Sequence, residues 1–184
     1  MTTLATQYSG MSRFIHWVMA ILVLGMIPVG FWMIQDGLSR SLQNFLFISH
    51  KNIGVLLLIF IFIRIWNRLR RPPQLVPVPM APLQERAAQL THFALYALLL
   101  IMPLAGYIRV RAGGFPIESL DALGVPAFVS KSESLAGFAK SVHFYGAYAL
   151  AGLLVAHIGA ALLHRFVFKD GVMARMWPPF GARK

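Results

Sequence analysis

Six histidines carry the most distinctive chemistry in this chain: His16, His50, His92, His143, His157 and His164. Every one lies within or at the end of a long apolar run. Imidazole ligates metals and exchanges protons near neutral pH, and an ionisable group inside an apolar run is costly enough to mark a functional position. One such histidine could be a neutral ring bonded to a neighbouring helix. Six of six is not the scatter that chance placement would give. Their depths add more. His143 and His157 are 14 residues apart, about 21 Å of helical rise and within about 40° of the same face. His50 opens a run at the level of His143, and His16 opens one at the level of His157. The expectation is two imidazole pairs, His50 with His143 and His16 with His157, stacked at two depths of one bundle. Opposed imidazoles on facing helices suit the two axial positions of haem iron, a cofactor that bundle cores hold. Filling both positions favours electron transfer over oxygen binding. Zinc prefers three or four ligands in one cluster, and a proton relay would recruit carboxylates, of which the runs contain none.

The elements that must hold these rings are transmembrane helices. Of the 184 residues, 58% are hydrophobic and 12% charged, against about 25% charged in soluble domains. That composition excludes intrinsic disorder and argues against a soluble globular domain. With no cysteine, disulfides, zinc–cysteine sites, iron–sulfur clusters, thiol catalysis and c-type haem attachment are excluded. A spanning helix takes about 20 apolar residues, and four segments qualify, at about 14–34, 50–66, 91–108 and 142–166. The fold class read from this is all-α, an integral membrane four-helix bundle forming a single domain over 1–184. Arg13 ahead of the first run resembles a signal peptide, but the run is long, lacks a small-x-small cleavage site and carries His16, so a retained helix is expected. Pro28 and Pro103 lie inside spans, which membrane helices tolerate. Gly25, Gly30, Gly54, Gly106, Gly146, Gly152 and Gly159 would let a helix or a flat ligand approach closely.

The net charge of +11 fits membrane topology and anionic lipid better than nucleic acid. Eleven basic residues flank one side: Arg13, the group Arg64, Arg68, Arg70, Arg71 and Arg86, and the tail residues Arg165, Lys169, Arg175, Arg183 and Lys184. Six flank the other: Arg40, Lys51, Arg109, Arg111, Lys131 and Lys140. Both termini are therefore expected in the cytoplasm. The 66–90 connection, rich in proline, is expected to be extended. The 109–141 connection, with Glu118, Asp121 and Glu133, lies outside and has room for a short surface helix. Haem propionates are anions that need partners when buried; Arg13 and Arg64 are candidates at the inner level. Lys51, Arg109, Arg111 and Lys140 cluster at the outer level, where topology does not favour cations, and could attract an anionic substrate. Trp17, Trp32, Trp66 and Tyr107 fit interfacial belts. His92 and His164 lie near the inner level. They suit either a quinone, whose carbonyl oxygens imidazoles can hydrogen-bond, or bonding to lipid, water or propionate.

The chain resembles the bacterial cytochrome b561 family, within the group that includes cytochrome b subunits of nickel-iron hydrogenases and formate dehydrogenases. The carriers are Ser12-Arg13-Phe14-Ile15-His16-Trp17, then His50 with Gly54 and Arg64, then His92 with Tyr96, Pro103 and Gly106. Lys140-Ser141-Val142-His143 follows, with His157, His164 and Lys169-Asp170. The resemblance implies a bundle in the bacterial inner membrane holding two haems b, with His16 and His157 at the inner haem and His50 and His143 at the outer one. Some stand-alone members resemble a superoxide:ubiquinone oxidoreductase. By that likeness His92 and His164 would serve ubiquinone, and Lys51, Arg109, Arg111 and Lys140 would steer superoxide. The alternative is a cytochrome b anchor linking a soluble periplasmic dehydrogenase or hydrogenase to quinone, with the outer loop as docking surface. A transporter without haem is a third reading, disfavoured by the lack of carboxylates within the spans.

Overall fold

A computed structural model describes residues 6–179; Arg183 and Lys184, counted above among the basic tail residues, lie outside the described residues. Four long helices are apolar enough to cross a membrane: α1 (Gly10–Trp32), α2 (Arg40–Arg70), α3 (Pro82–Ala112) and, after the short α4 (Glu118–Ala122), α5 (Glu133–Leu163). A π-helical turn, His164–Phe168, prolongs α5. The chain is an all-α membrane four-helix bundle.

The helices run past the apolar windows. Hydropathy marks only the part in hydrocarbon, whereas caps set the ends. Ser9, Ser39 and Ser132 each accept a hydrogen bond from the backbone N–H three residues on, at the starts of α1, α2 and α5. Pro82 occupies the first turn of α3, where its missing N–H costs nothing, and the Gln84 side chain accepts from the Ala81 N–H. The connection expected over 66–90 is thus only 71–81; residues 66–70 and 82–90 are helical. The connection expected over 109–141 likewise shrinks to 113–132 and contains α4.

Helix packing is uneven. α3 and α5 pack most closely, followed by α1 on α2 and α2 on α3. α5 meets α1 and α2 across a wider gap, bridged by ring pairs such as Phe31 with Tyr148, 5.2 Å between centroids. The buried core, Ile15, Met19, Val23, Leu57, Ile61, Leu95 and Leu150, draws on all four long helices, with Leu150 reaching in from α5. Large apolar side chains elsewhere on the helices, such as Ile21, Phe62, Phe93 and Val155, face outward, as lipid contact requires.

Each end of the bundle is tied differently. At the end carrying both termini, the tail lies across the helix ends. Gln7 Nε2 donates to the Ala174 and Trp177 carbonyls, the Tyr8 N–H to the Arg175 carbonyl, and Arg175 Nη2 to the Val76 carbonyl at 2.6 Å. Trp17 donates through Nε1 to the Met176 carbonyl and packs edge-on against Trp177. At the far end, Lys51 Nζ pairs with Glu118 at 2.6 Å and Arg111 Nη2 with Asp121 at 2.5 Å. The Ser119 N–H donates to the Asn52 side chain and the Phe128 N–H to the Tyr107 hydroxyl. Of the four expected belt residues, Trp32 and Trp66 are exposed, but Trp17 and Tyr107 hold the tail and the far loop.

Arg111 donates a hydrogen bond that, with help from the Ile117 N–H, holds the Asp121 carboxyl below the usual carboxylate range. A carboxyl lowered in the folded state contributes stability above its ordinary pKa of about 4 and loses it as pH falls further. Hydrogen exchange over residues 113–132, corrected for intrinsic rates, is expected to show protection at pH 7 that declines below about pH 4. Asp121→Asn should exchange faster at pH 7 and lose that pH dependence.

Candidate haem and quinone sites

The two imidazole pairs come from opposite walls of the gap between α5 and its partners. His50 on α2 and His143 on α5 have ring centroids 6.1 Å apart, their planes at 74°. His16 on α1 and His157 on α5 are 6.3 Å apart at 73°. A metal–imidazole bond is about 2.0 Å and the nitrogen lies about 1.1 Å from the ring centre, so rings on opposite sides of one metal have centroids about 6.2 Å apart. Both pairs have that spacing. His92 on α3 is 5.5 Å from His157, too close for that arrangement, and so stands beside the pair as a neighbour. Among the described residues, no group of three or more His, Asp or Glu side chains could hold a bare metal ion.

Details of the far pair suit a haem. His143 Nδ1 lies 2.9 Å from the Met102 carbonyl. A carbonyl can only accept, so Nδ1 carries the proton and Nε2 keeps the lone pair that a metal requires. His50 Nδ1 is buried and meets no hydrogen-bond partner among the described residues. Two glycines make room for these rings. A Cβ at Gly30 would stand 3.0 Å from His50 Cε1, and one at Gly106 would stand 3.3 Å from His143 Cε1. Gly146 does the same for α3 against α5, since a Cβ there would meet Met102 Sδ at 2.6 Å.

Basic residues surround both levels in different states. Arg64 lies within electrostatic reach of His16, His92 and His157. Its Nη1 donates to the Ser12 carbonyl at 3.3 Å, and its guanidinium sits over the Tyr96 ring, as does that of Arg68. Arg13 is fully buried and donates through Nη1 to the Pro178 carbonyl at 2.7 Å and to Gln7. It thereby anchors the tail, a contact the sequence did not suggest. At the far end, Arg109 lies within electrostatic reach of His50 and His143. Lys51 and Arg111, expected among the cations that steer an anion, pair with Glu118 and Asp121. Their partners come from the loop, where sequence spacing gives no guide. Among the described residues no carboxylate pairs with Arg109 or Lys140.

The last histidine has a partner that sequence reasoning missed. His164 Nδ1 lies 2.5 Å from Asp170 Oδ2, and its ring packs edge-on against Phe168 at 5.3 Å. No ring contact joins His164 to His92 among the described residues. Partial burial raises the Asp170 carboxyl, but hydrogen bonds from the Val172 N–H and from His164 outweigh it and leave the group below its ordinary range. A spacing of six residues does not predict contact on an α-helix; here a π turn and a left-handed Lys169 (φ 52°) bring the carboxylate back.

Comparison with known proteins agrees with this geometry. Residues 7–179 match the family described as prokaryotic cytochrome b561. The chain is 34% identical to cytochrome b561 homolog 2 of Escherichia coli K12 over 95% of this chain and 93% of that protein. It is 29% identical to cytochrome b561 homolog 1 of the same organism, over 94% and 97%. It is 30% identical to a Yersinia pestis protein named probable superoxide oxidase CybB, over 94% and 96%. With a family match across nearly the whole chain, four spans and two imidazole pairs with centroids 6.1 and 6.3 Å apart, this chain belongs to the prokaryotic cytochrome b561 family, haem b electron-transfer proteins of membranes.

Proposed function

We propose that this chain is a two-haem superoxide:ubiquinone oxidoreductase with both termini in the cytoplasm. The observation that carries the reading is the pair of bis-histidine sites at two levels of one gap. When bound, haem b supplies a one-electron couple at each level. His50 and His143 would hold the periplasmic group, and His16 and His157 the cytoplasmic one. The 14 residues from His143 to His157 separate the levels by about 21 Å along α5, which spans much of a hydrocarbon core of about 30 Å.

The residues around each level support a direction. Arg109, within electrostatic reach of the His50–His143 pair, and Lys140, three residues before His143 on α5, keep positive charge at the far end, where an anionic donor such as superoxide would arrive. Arg64 stands beside the inner pair, in the position of a propionate partner. His92 beside His157 and His164 at the end of α5 are the imidazoles available to ubiquinone. The relative named as a probable superoxide oxidase supports the same donor. One observation favours the anchor-subunit alternative: Leu123 and Phe128 in the far loop are 77% exposed, an apolar surface on which a soluble dehydrogenase or hydrogenase could dock. Co-purification of such a partner would favour that reading.

Two outcomes are expected. His16→Ala or His157→Ala should remove one haem and leave the other, read as halved haem content with the remaining low-spin bands retained; selective loss of the outer haem would break the pairing. The purified chain should reduce a soluble ubiquinone above the uncatalysed rate when superoxide is generated. Arg109→Gln with Lys140→Gln should lower that rate about tenfold at low ionic strength and flatten its salt dependence. An unchanged rate would remove superoxide steering from the account.

A further inference from the structure

The end of α5 is built in a way that electron transfer alone does not require. The helix changes from α to a single π turn at His164–Phe168, a feature frequent at functional sites. Lys169 then takes a left-handed conformation and Gly171 a positive φ of 80°, so the chain folds back and sets Asp170 against His164. The carboxylate is used on both oxygens: Oδ2 meets His164 Nδ1, and Oδ1 accepts the Val172 N–H at 3.1 Å. Phe168 packs edge-on to the imidazole. Both side chains are mostly buried, 17% and 20% exposed. His164 nevertheless lines a cleft with Lys169, Gly171, Met173 and Ala174. It follows His157 by seven residues, about 10 Å further along α5 and on nearly the same face.

These contacts leave one ring nitrogen for chemistry. An ionised carboxylate can only accept, so Nδ1 stays protonated in either charge state of the ring. Nε2 is then the nitrogen that gains and loses a proton. We propose that Asp170 is a positioning residue that fixes His164 in this tautomer, so that His164 delivers a proton to the carbonyl oxygen of a quinone bound at the terminal end of the bundle.

This rests on the quinone reading above and deepens it. Reduction of a quinone to a quinol takes two electrons, drawn from the donor through the inner site, and two protons. In the step assigned here the His164 Nε2–H bond breaks and a quinone O–H bond forms. The imidazolium becomes a neutral imidazole that still donates Nδ1–H to Asp170. A proton from solvent in the cleft restores it, and solvent supplies the second proton of the quinol. Among the described residues, the charged groups around the dyad are Arg165 and Lys169 on its own segment and Arg175 on the neighbouring turn, the last turned to the Val76 carbonyl.

The test uses the haem-loaded chain and Asp170→Asn, which keeps the shape of the side chain but has one acceptor oxygen for two contacts, so its amide can meet Nδ1 with either the oxygen or the NH2 group. Reduced protein is mixed with ubiquinone-1 from pH 5.5 to 9, and haem reoxidation is followed. The variant should keep its haem spectrum, reoxidise about tenfold more slowly, as expected for loss of an orienting carboxylate, and lose rate at a pH about one unit lower than the parent. An unchanged profile, or a slower rate with an unmoved pH dependence, would overturn the assignment and leave the quinone reading standing. Nitrogen-15 NMR of the histidines, with His164→Gln for assignment, reads the dyad without turnover. It should report Nδ1 protonated in the parent and a mixed tautomer in Asp170→Asn. A mixed tautomer in the parent would also overturn the proposal. Failure of the parent to be reoxidised by quinone at any pH, with the tautomer fixed, would instead remove the quinone reading and with it the proton step.

Discussion

The structure depends on one constraint, that a polar ring placed in hydrocarbon must find a partner. Four imidazoles face one another in two pairs across the space between α5 and the α1–α2 wall, where a metal held between each pair would be that partner. Other features follow from keeping that space open. α5 packs closely on α3 instead, and Gly146 lets Met102 approach there. Gly30 and Gly106 are small because the rings of His50 and His143 occupy the volume a side chain would take. The Met102 carbonyl turns the lone pair of His143 Nε2 to its task.

The two ends of the bundle apply different electrostatics to these levels. At the far end, Glu118 and Asp121 pin the loop by neutralising Lys51 and Arg111, while among the described residues no carboxylate pairs with Arg109 or Lys140. At the terminal end, Arg64 and Arg68 lie over Tyr96, and the tail crosses the bundle through carbonyls held by Gln7, Arg13 and Trp17. The Pro178 carbonyl and the Gln7 side chain both accept from the buried Arg13. The fold thus keeps uncompensated positive charge within reach of both imidazole pairs, which suits a protein whose cofactor carries carboxylates and whose proposed substrate is an anion.

Much of this was legible in the sequence, for a physical reason. Helical rise and turn are regular, so 14 residues between His143 and His157 translate into two depths on one face, and apolar runs report hydrocarbon. What was hidden lay where regular geometry stops. The helices overran their apolar windows because serine caps and Pro82, not hydropathy, end them. The pairing of Lys51 and Arg111 was not visible because their acids sit on α4, a five-residue helix placed by tertiary packing. The tail contacts of Trp17 and Arg13 were not visible because the tail that they bind returns from more than 150 positions away. Asp170 was quoted only as part of a motif. Its contact with His164 exists because a π turn and a left-handed residue break the periodicity from which contacts are read.

The central claim is that both imidazole pairs are haem sites. Haem quantitation of the purified chain in mild detergent, combined with a reduced-minus-oxidised spectrum and a redox titration, tests it most directly. The account predicts two haems b per chain, both low-spin, titrating as two components. A single haem, or a high-spin signal from a vacant axial position, would contradict it.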